Sequence, residues 1–550
     1  MPRKQLLTFG ILPIFFILVS LRLKAISGPY WLGQNSDPEY AYLLNFLNLS
    51  QLQAPGHTDH PGTTLQVLGS LVLRATHLIQ FWMRPNEVHI VTSTLENPEF
   101  YLTIVNAVIL LLTAVTIFAV GWIGFLLSHR ITTGLLLQLA PFLWTLLRES
   151  SRVRPESLLI GLTQAIIILL LLYLYTEKYK DRWYSIAMGA LLGLALATKV
   201  TALPLLLLIV IVPGKLNKAW AVLTTLFTFF LATVPMINQY GRFLSWIGAI
   251  ATRVGPYGSG EVGIIDPDRV FNTLPRLLRS DIFFFWIFTI SIFIFFIATL
   301  FLTNKRLNYV NLDFIFCEST SKKYKLFLIL LLVLSSQIIL TLKHPTSHYL
   351  VPSMGLWGIL ILVQTDPTEP FLKSYFRDFQ PHKFRVGWIG LNVSLFFASL
   401  IISTAYLQMT SQAYRAEIAE IDNLIQGRYN NCTHISYYRS SSQEYAIGFG
   451  NNWANHAFSQ NLRKIYSDKI FYDIWSRQYE TFGQIVELDD ILSREQCIIF
   501  HGTPLETYQA MMMPGQSYVQ GFDNEVLNVV FAGNSEALYL VTQDREVGNQ

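Results

Sequence analysis

Five short polar clusters interrupt an otherwise apolar chain, and their residue types suit acid–base chemistry next to an anion. In Ser36-Asp37-Pro38-Glu39-Tyr40 two carboxylates sit two residues apart. A carboxylate can take a proton from an attacking hydroxyl or amine. The same residues also spell a helix start, with Asp as N-cap, Pro at the first position and Glu in the first turn, and a capping Asp can still be a base. The second cluster, His57-Thr58-Asp59-His60-Pro61-Gly62-Thr63, combines two imidazoles with a carboxylate. It could orient an acceptor or bind a divalent cation such as Mg or Mn, with Asp37, Asp59 and His60 as ligands, although no spacing matches a closed metal site. A Pro-Gly turn accounts for the same residues without chemistry.

The third cluster, Arg148-Glu149-Ser150-Ser151-Arg152-Val153-Arg154-Pro155-Glu156, holds three arginines, and guanidinium groups bind phosphate bidentately. Pro155 and Glu156 again look like the first turn of a helix. The fourth is Lys199, an isolated cation in Gly193-Leu-Ala-Leu-Ala-Thr-Lys-Val-Thr-Ala-Leu-Pro204; a snorkelling anchor is the plain alternative. The fifth, Lys343-His344-Pro345-Thr346-Ser347-His348-Tyr349-Leu350-Val351-Pro352, reads equally as an interfacial loop anchored by Tyr349. Each cluster is weak alone; their common placement at the outer ends of apolar runs is what joins them.

Those runs are the elements that must position the clusters. The 550 residues are 52% hydrophobic and 14% charged, against about a quarter charged in soluble proteins. Runs near the ~20 residues that cross a bilayer core predict about eleven spans, around 6–26, 100–127, 131–147, 157–175, 184–198, 200–213, 218–238, 282–303, 325–342, 348–364 and 386–408. Two of these are short enough to form a broken or re-entrant pair. The first run also has the makings of a signal peptide, with Ala25-Ile26-Ser27 as a cleavage site; we read it as an uncleaved span.

Lys and Arg concentrate in short loops of one parity, among them Arg130, Lys178, Lys180, Arg182, Lys215, Lys218 and Lys322 to Lys325. Cytoplasmic loops carry that excess, which places the N-terminus inside and 28–98, 239–281 and the C-terminal tail outside. The apolar run Thr64 to Met83 would reverse this parity if it spanned; with Arg74 and His77 on one face it reads as a helix lying in the interface. The formal charge of +4 is largely accounted for by the inner loops and gives no reason to invoke nucleic acid.

After Leu407 the long apolar runs stop, which divides the chain into a membrane module, 1–408, with outer loop 28–98, and a soluble α/β domain, 409–550. In the latter, Ala413 to Ile425 predicts an amphipathic helix, and 434–438, 445–449, 498–501 and 527–532 predict short buried strands. Trp453, Trp475 and Tyr479 suit either an acceptor glycan or a domain core. The three cysteines make no C-x-x-C motif. Cys432 and Cys497 each precede a strand-like run, and a disulfide between adjacent strand starts stays open.

Taken in order, Asp-Pro-Glu after the first span, Asp-His-Pro opening an interfacial helix, Arg-Pro-Glu before the fourth span, Gly-Leu-Ala-Leu-Ala-Thr-Lys and His-Tyr-Leu-Val-Pro resemble GT-C glycosyltransferases. The likeness is strongest to the protein mannosyltransferase and aminoarabinose transferase branch, family 39-like, and covers roughly 1–410. It implies a polyprenyl-phosphate sugar donor and a soluble C-terminal domain outside. Carried over residue by residue, the family's first-loop acid falls on Asp37 with Glu39 second, and Asp59 is the reserve base. This chain departs from the pattern in separating its acids by Pro38 and in following Pro61 with Gly62.

The expected protein is an inverting GT-C transferase in the bacterial plasma membrane. Its acceptor is a glycan, lipid or protein outside. Arg148, Arg152, Arg154, Lys199, His344 and His348 would hold the donor phosphate, and His57, His60 and Tyr349 would orient the acceptor. Arginine and lysine could supply the leaving-group charge, so a metal is not required. The rivals are a lipid-linked sugar flippase, which would place cations along both leaflets, and a noncatalytic scaffold with a glycan-binding tail, which would leave the outer clusters without purpose.

Overall fold

The computed structural model describes residues 3–33, 36–59, 61–83, 89–255, 258, 260–263, 266–303, 318–343, 345–364, 381–473, 476–494, 497–505 and 527–541. The chain divides into two compact units: Met1–Leu23, Thr58–Leu65 and Asn106–Thr404 form one, and Lys24–His57, Gln66–Val105 and Ala405–Gln550 form the other.

The first unit is helical. Among the described residues of the whole chain, five helices are long and apolar enough to cross a membrane: Gln5–Ser27, Pro98–Ser128, Pro155–Tyr175, Lys322–Leu342 and Val393–Gly427. Three bent pairs raise the number to as many as eight if each counts as one span: Lys215–Ala232 with Val234–Thr252, Val270–Ser280 with Ile282–Ile294, and Ser347–Met354 with Trp357–Gln364. The expected run 131–147 is divided more finely than its hydropathy suggests, whereas the division expected between 184–198 and 200–213 is present. The former becomes Ile131–Leu137, a 3-10 turn Ala140–Phe142 and Trp144–Ser150; the two latter are the helix Arg182–Thr198 and the 3-10 run Val200–Ile211.

Local chemistry explains the start and packing of these helices. Pro155–Tyr175 begins behind Arg154, whose extended backbone sets Pro155 at the first position and Glu156 in the first turn; neither residue strains the helix there. Its apolar run is buried among Leu159, Ile160, Ile166, Leu170 and their neighbours. Gly189 and Gly193, one turn apart, let Arg182–Thr198 lie against Lys215–Ala232 so closely that a side chain at either would meet the backbone of Ala221 or Thr225. Small residues at this spacing are what helices use to approach each other where lipid supplies no hydrophobic drive.

The second unit contains a mixed sheet of seven strands, β1 Thr433–Ser436, β2 Ile470–Asp473, β3 Gln478–Thr481, β4 Gln484–Val486, β5 Ile498–Gly502, β6 Leu527–Ala532 and β7 Ala537–Val541. Their order is β4-β3-β2-β1-β5-β7-β6, with β1 parallel to both β2 and β5 and the other pairs antiparallel. Thr433 pairs with Ile498, so Cys432 and Cys497 stand side by side just before the ladder, and they are joined in a disulfide with Cα atoms 4.7 Å apart.

Three of the four expected strands coincide with β1, β5 and β6. The fourth, 445–449, is instead part of the helix Gln443–Trp453. Ser442 caps it by accepting from the Tyr445 amide at 3.1 Å, and Ala446, Ile447, Gly450 and Asn451 form a buried face at helical spacing. A five-residue apolar run does not distinguish strand from helix by itself; the cap does. The expected helix 413–425 lies inside Pro381–Gly427, where Ile418 and Ile421 turn into a cluster with Leu32, Tyr429 and Ile499.

The helix Ser36–Ser50 is wrapped on all sides within this unit. Tyr40, Tyr42, Leu43, Leu44, Phe46 and Leu47 are all fully buried. Its last turn is closed by Arg74 of the helix Thr63–Met83, whose guanidinium donates twice to the Ser50 carbonyl at 3.1 and 2.7 Å. A cation on the last carbonyls satisfies orphan acceptors and complements the helix dipole. Thr63–Met83, expected to lie in the interface, is not among the helices that are long and apolar enough to span.

Candidate functional site

The helical unit gathers four of the five polar clusters around one break in its backbone. At Lys199 the chain leaves the helix Arg182–Thr198 in an extended conformation before the 3-10 run begins. Such a break frees carbonyls that lipid cannot satisfy, and side chains take them. Thr63 Oγ1 donates to the Ala197 carbonyl at 3.4 Å, and Gln337 Nε2 donates to the carbonyls of Thr201 and Tyr349 at 2.9 and 2.7 Å. Pro61 forms an antiparallel bridge with Lys199 itself, and the hydroxyls of Thr64 and Thr198 are 2.7 Å apart. The Asp-His-Pro motif is thereby attached to the lysine.

Lys199 is buried, and its ammonium pairs with the buried carboxylate of Glu156. His348 Nε2 stands 4.0 Å from the same Glu156 oxygen, and the Tyr349 ring lies 5.0 Å from the ammonium. The loop before Glu156 is held by Ser157 Oγ, which donates to the carbonyls of Glu149 and Arg152 at 2.7 and 2.6 Å, and by Asn106 Nδ2, which donates to those of Ser150 and Arg152 at 3.0 and 3.2 Å. Arg154 pairs with the buried Glu149 at 3.6 Å. Arg152 is 7% exposed, whereas Arg148 points outward.

Asp59 faces Arg242 at 3.4 Å, and Thr58 Oγ1 donates to Gln239 Oε1 at 3.0 Å. Burial raises the Asp59 carboxyl above the ordinary aspartate value, and the Arg242 charge offsets only part of that.

The remaining acids lie in the second unit. Asp37 occupies the first turn of Ser36–Ser50, with its side chain outside the described residues, and Glu39 is fully buried. Glu99, in the first turn of Pro98–Ser128, binds the Tyr30 amide with both oxygens at 2.8 and 2.9 Å and accepts from the Tyr40 hydroxyl at 2.9 Å, with Lys24 at 4.0 Å. Burial first, and the Glu99 carboxylate second, hold the Tyr40 phenol well above its usual range; it stays a donor.

His57, expected to orient an acceptor, is buried between Tyr42 and Trp453, with ring centroids 5.2 and 4.7 Å away. Tyr479 belongs to the sheet's core. His60, His344 and Trp475 lie outside the described residues, as does the Asp37 carboxylate that a metal at Asp37, Asp59 and His60 would need. Among the described residues no group of three or more His, Cys, Asp or Glu could hold a metal ion.

Sequence reasoning passed over Glu149, Glu156, Glu99 and Arg242. A signal for two of them was present. Pro38-Glu39, Pro98-Glu99 and Pro155-Glu156 repeat one dipeptide, and each glutamate sits in the first turn of a helix with its carboxylate buried or anchoring neighbours.

No family model and no curated protein matches the chain. Among solved structures, the crystal structure of ArnT from Cupriavidus metallidurans bound to undecaprenyl phosphate is similar at 12% identity, covering 96% of this chain and 98% of that one with a TM-score of 0.47. The same protein in the apo state gives 12% identity, 96% and 97% coverage and a TM-score of 0.47. A likeness of this degree assigns neither family nor reaction.

Proposed function

We propose that the chain is a multi-pass membrane glycosyltransferase with about eleven spans, a membrane module over 1–408 and an exported α/β tail over 409–550. It takes a sugar from a polyprenyl-phosphate donor and passes it to an acceptor on the outer face of the bacterial plasma membrane. The observation that carries this reading is the cluster at the Lys199 break, where Lys199 pairs with Glu156 beside His348 and bridges to Pro61, with the Arg154–Glu149 pair in the same helical unit. Ionisable groups buried among apolar helices are costly and mark a polar substrate by default.

In the proposed step an acceptor hydroxyl or amine attacks the anomeric carbon as the bond from that carbon to the phosphate oxygen breaks. A single displacement inverts the centre. Asp37 takes the proton of the nucleophile, with Glu39 beside it and Asp59 as the reserve. The lipid phosphate leaves with the bonding pair. Arg152, Arg154 and Lys199 stabilise its growing charge, assisted by Arg148, His344 and His348. Preset cations aimed at developing charge are worth most where water is excluded. Glu149 and Glu156 keep Arg154 and Lys199 neutralised until the donor arrives, since an uncompensated buried cation would be unstable.

Transfer from radiolabelled polyprenyl-phosphate monosaccharides in membranes containing the wild type or Asp37→Asn tests the reading. Label should move from lipid to acceptor only with the wild type, the variant losing at least ~100-fold. Label that crosses the bilayer still attached to lipid would establish a flippase instead. Full turnover by the variant would remove Asp37 as the base.

A further inference from the structure

A second buried polar network lies in the unit that contains the tail, and the proposed reaction does not use it. Ser440, Ser441, His501 and Glu536 are all buried, none more than 4% exposed. Glu536 follows the tight turn between β6 and β7, where the Gly533 amide donates to the Glu536 carbonyl at 2.9 Å. Glu417, on the long helix Pro381–Gly427, grips that turn by accepting from the amides of Asn534 and Ser535, each at 3.1 Å. The Glu536 carboxylate then accepts from the Ser441 amide at 3.0 Å, lies against the Ser441 hydroxyl, and stands 2.7 Å from His501 Nε2. His501 Nδ1 is 3.0 Å from Ser440 Oγ. The Ser–His–Glu sequence of contacts invites a hydrolase reading, but Ser440 has no exposed surface for a substrate to reach.

The network ends on the outer-loop segment. The Gly33 amide donates to Ser441 Oγ at 2.6 Å. An amide N–H can only donate, so Ser441 Oγ accepts there, which leaves its own proton available to Glu536. The Gly33 amide is thereby tied to Glu536 through the Ser441 hydroxyl. Gly33 itself has φ of +63°, a conformation that favours glycine, and a Cβ at this position would lie 3.0 Å from the Tyr414 ring. Three residues later, at Ser36, the helix that carries Asp37 and Glu39 begins.

We propose that Ser441 is a positioning residue for the acid-bearing segment of the first outer loop, holding the Gly33 amide so that the helix Ser36–Ser50 starts in the register that its acids require. The inference rests on the transferase reading and assigns the tail a task within it. Misplacing a catalytic group by about 1 Å can cost on the order of 100-fold in rate, while ground-state contacts elsewhere in the donor site are untouched. Removing the Ser441 hydroxyl should therefore lower kcat and leave KM for the donor alone.

The experiment compares full-length wild type, Ser441→Ala and Ser441→Thr in detergent, reading turnover, donor KM and amide hydrogen exchange across residues 28–40. In the wild type the Gly33 amide should exchange as slowly as the core of β5, since buried hydrogen-bonded amides open only with their unit. Ser441→Ala should speed exchange of that segment and cut kcat by about tenfold or more with KM within about twofold, and Ser441→Thr, which keeps the hydroxyl, should restore both. An unprotected Gly33 amide in the wild type overturns the proposal without any variant. So does Ser441→Ala with wild-type exchange, or with faster exchange and unchanged kcat. If the wild type transfers no sugar, the transferase reading falls, and the exchange measurement still decides whether Ser441 holds the segment.

Discussion

At Lys199 two requirements compete: the cation has to be stable while buried in the empty protein, and it has to be available to an incoming anion. Glu156 meets the first, because its carboxylate pairs with the ammonium where neither is exposed to water. Lys199→Met leaves Glu156 buried with His348 at 4.0 Å and should destabilise the protein by roughly 3–5 kcal/mol, the usual cost of removing one member of a buried pair. Replacing both, Lys199→Met with Glu156→Leu, should recover most of that stability, because an apolar pair of similar volume is often neutral. Transfer should not recover. Thermal unfolding and sugar transfer in detergent separate the two effects, and a double variant with wild-type turnover would strip Lys199 of its proposed phosphate contact. Lys199 was legible in the sequence as a lone cation in an apolar run, but Glu156 was not, because a glutamate after proline at a helix start has a sufficient local explanation. His57, read in the sequence from its polar cluster, has its ring packed between Tyr42 and Trp453.

Gly450 shows how an element's neighbours decide what its residues can be. The helix Gln443–Trp453 crosses the acid-bearing helix so closely that a Cβ at Gly450 would lie 2.6 Å from the Tyr40 carbonyl oxygen. Asn45 and Asn48, on the acid-bearing helix, complete the contact by donating to the carbonyls of Trp453 and Ala454 at 3.2 and 3.3 Å. Gly450→Val would force a side chain against the Tyr40 backbone and should cost about 1–3 kcal/mol, the range for overpacking, with a parallel loss of turnover as Ser36–Ser50 shifts. Thermal unfolding beside the transfer assay would show this; a variant with unchanged midpoint and rate would mean that the close crossing has no consequence. The sequence pattern around Gly450 was ambiguous because glycine and aromatic residues in a short apolar run suit a strand as well as a helix. Long runs such as Pro155–Tyr175 were readable from length alone. The break at Lys199 was less so, since it depends on Thr63 and Gln337, distant in sequence, taking the freed carbonyls.

On the scale of the whole molecule, the composition change after Leu407 marks where apolar runs end, but not which residues fold together. Lys24–His57 and Gln66–Val105 belong to the same compact unit as Ala405–Gln550. The reason is visible in Ser36–Ser50, whose Tyr40, Tyr42, Leu43, Leu44, Phe46 and Leu47 are buried all round. A helix buried on every side needs cover on every side, and part of that cover is Gly450 and Trp453 of the tail. Ending the chain after Gly427 removes it. Each large apolar side chain returned to water forfeits about 1.5–3 kcal/mol, so losing cover from only two or three of them is enough to open the helix locally. Chymotrypsin, which cuts beside aromatic and leucine residues, should then cleave within 36–50 in the truncated protein and spare that stretch in the intact one, and sugar transfer should fall with the same truncation. If the shortened chain resisted cleavage there and kept its turnover, the outer loop would hold its acids without the tail, and the tail's purpose would lie with the acceptor instead.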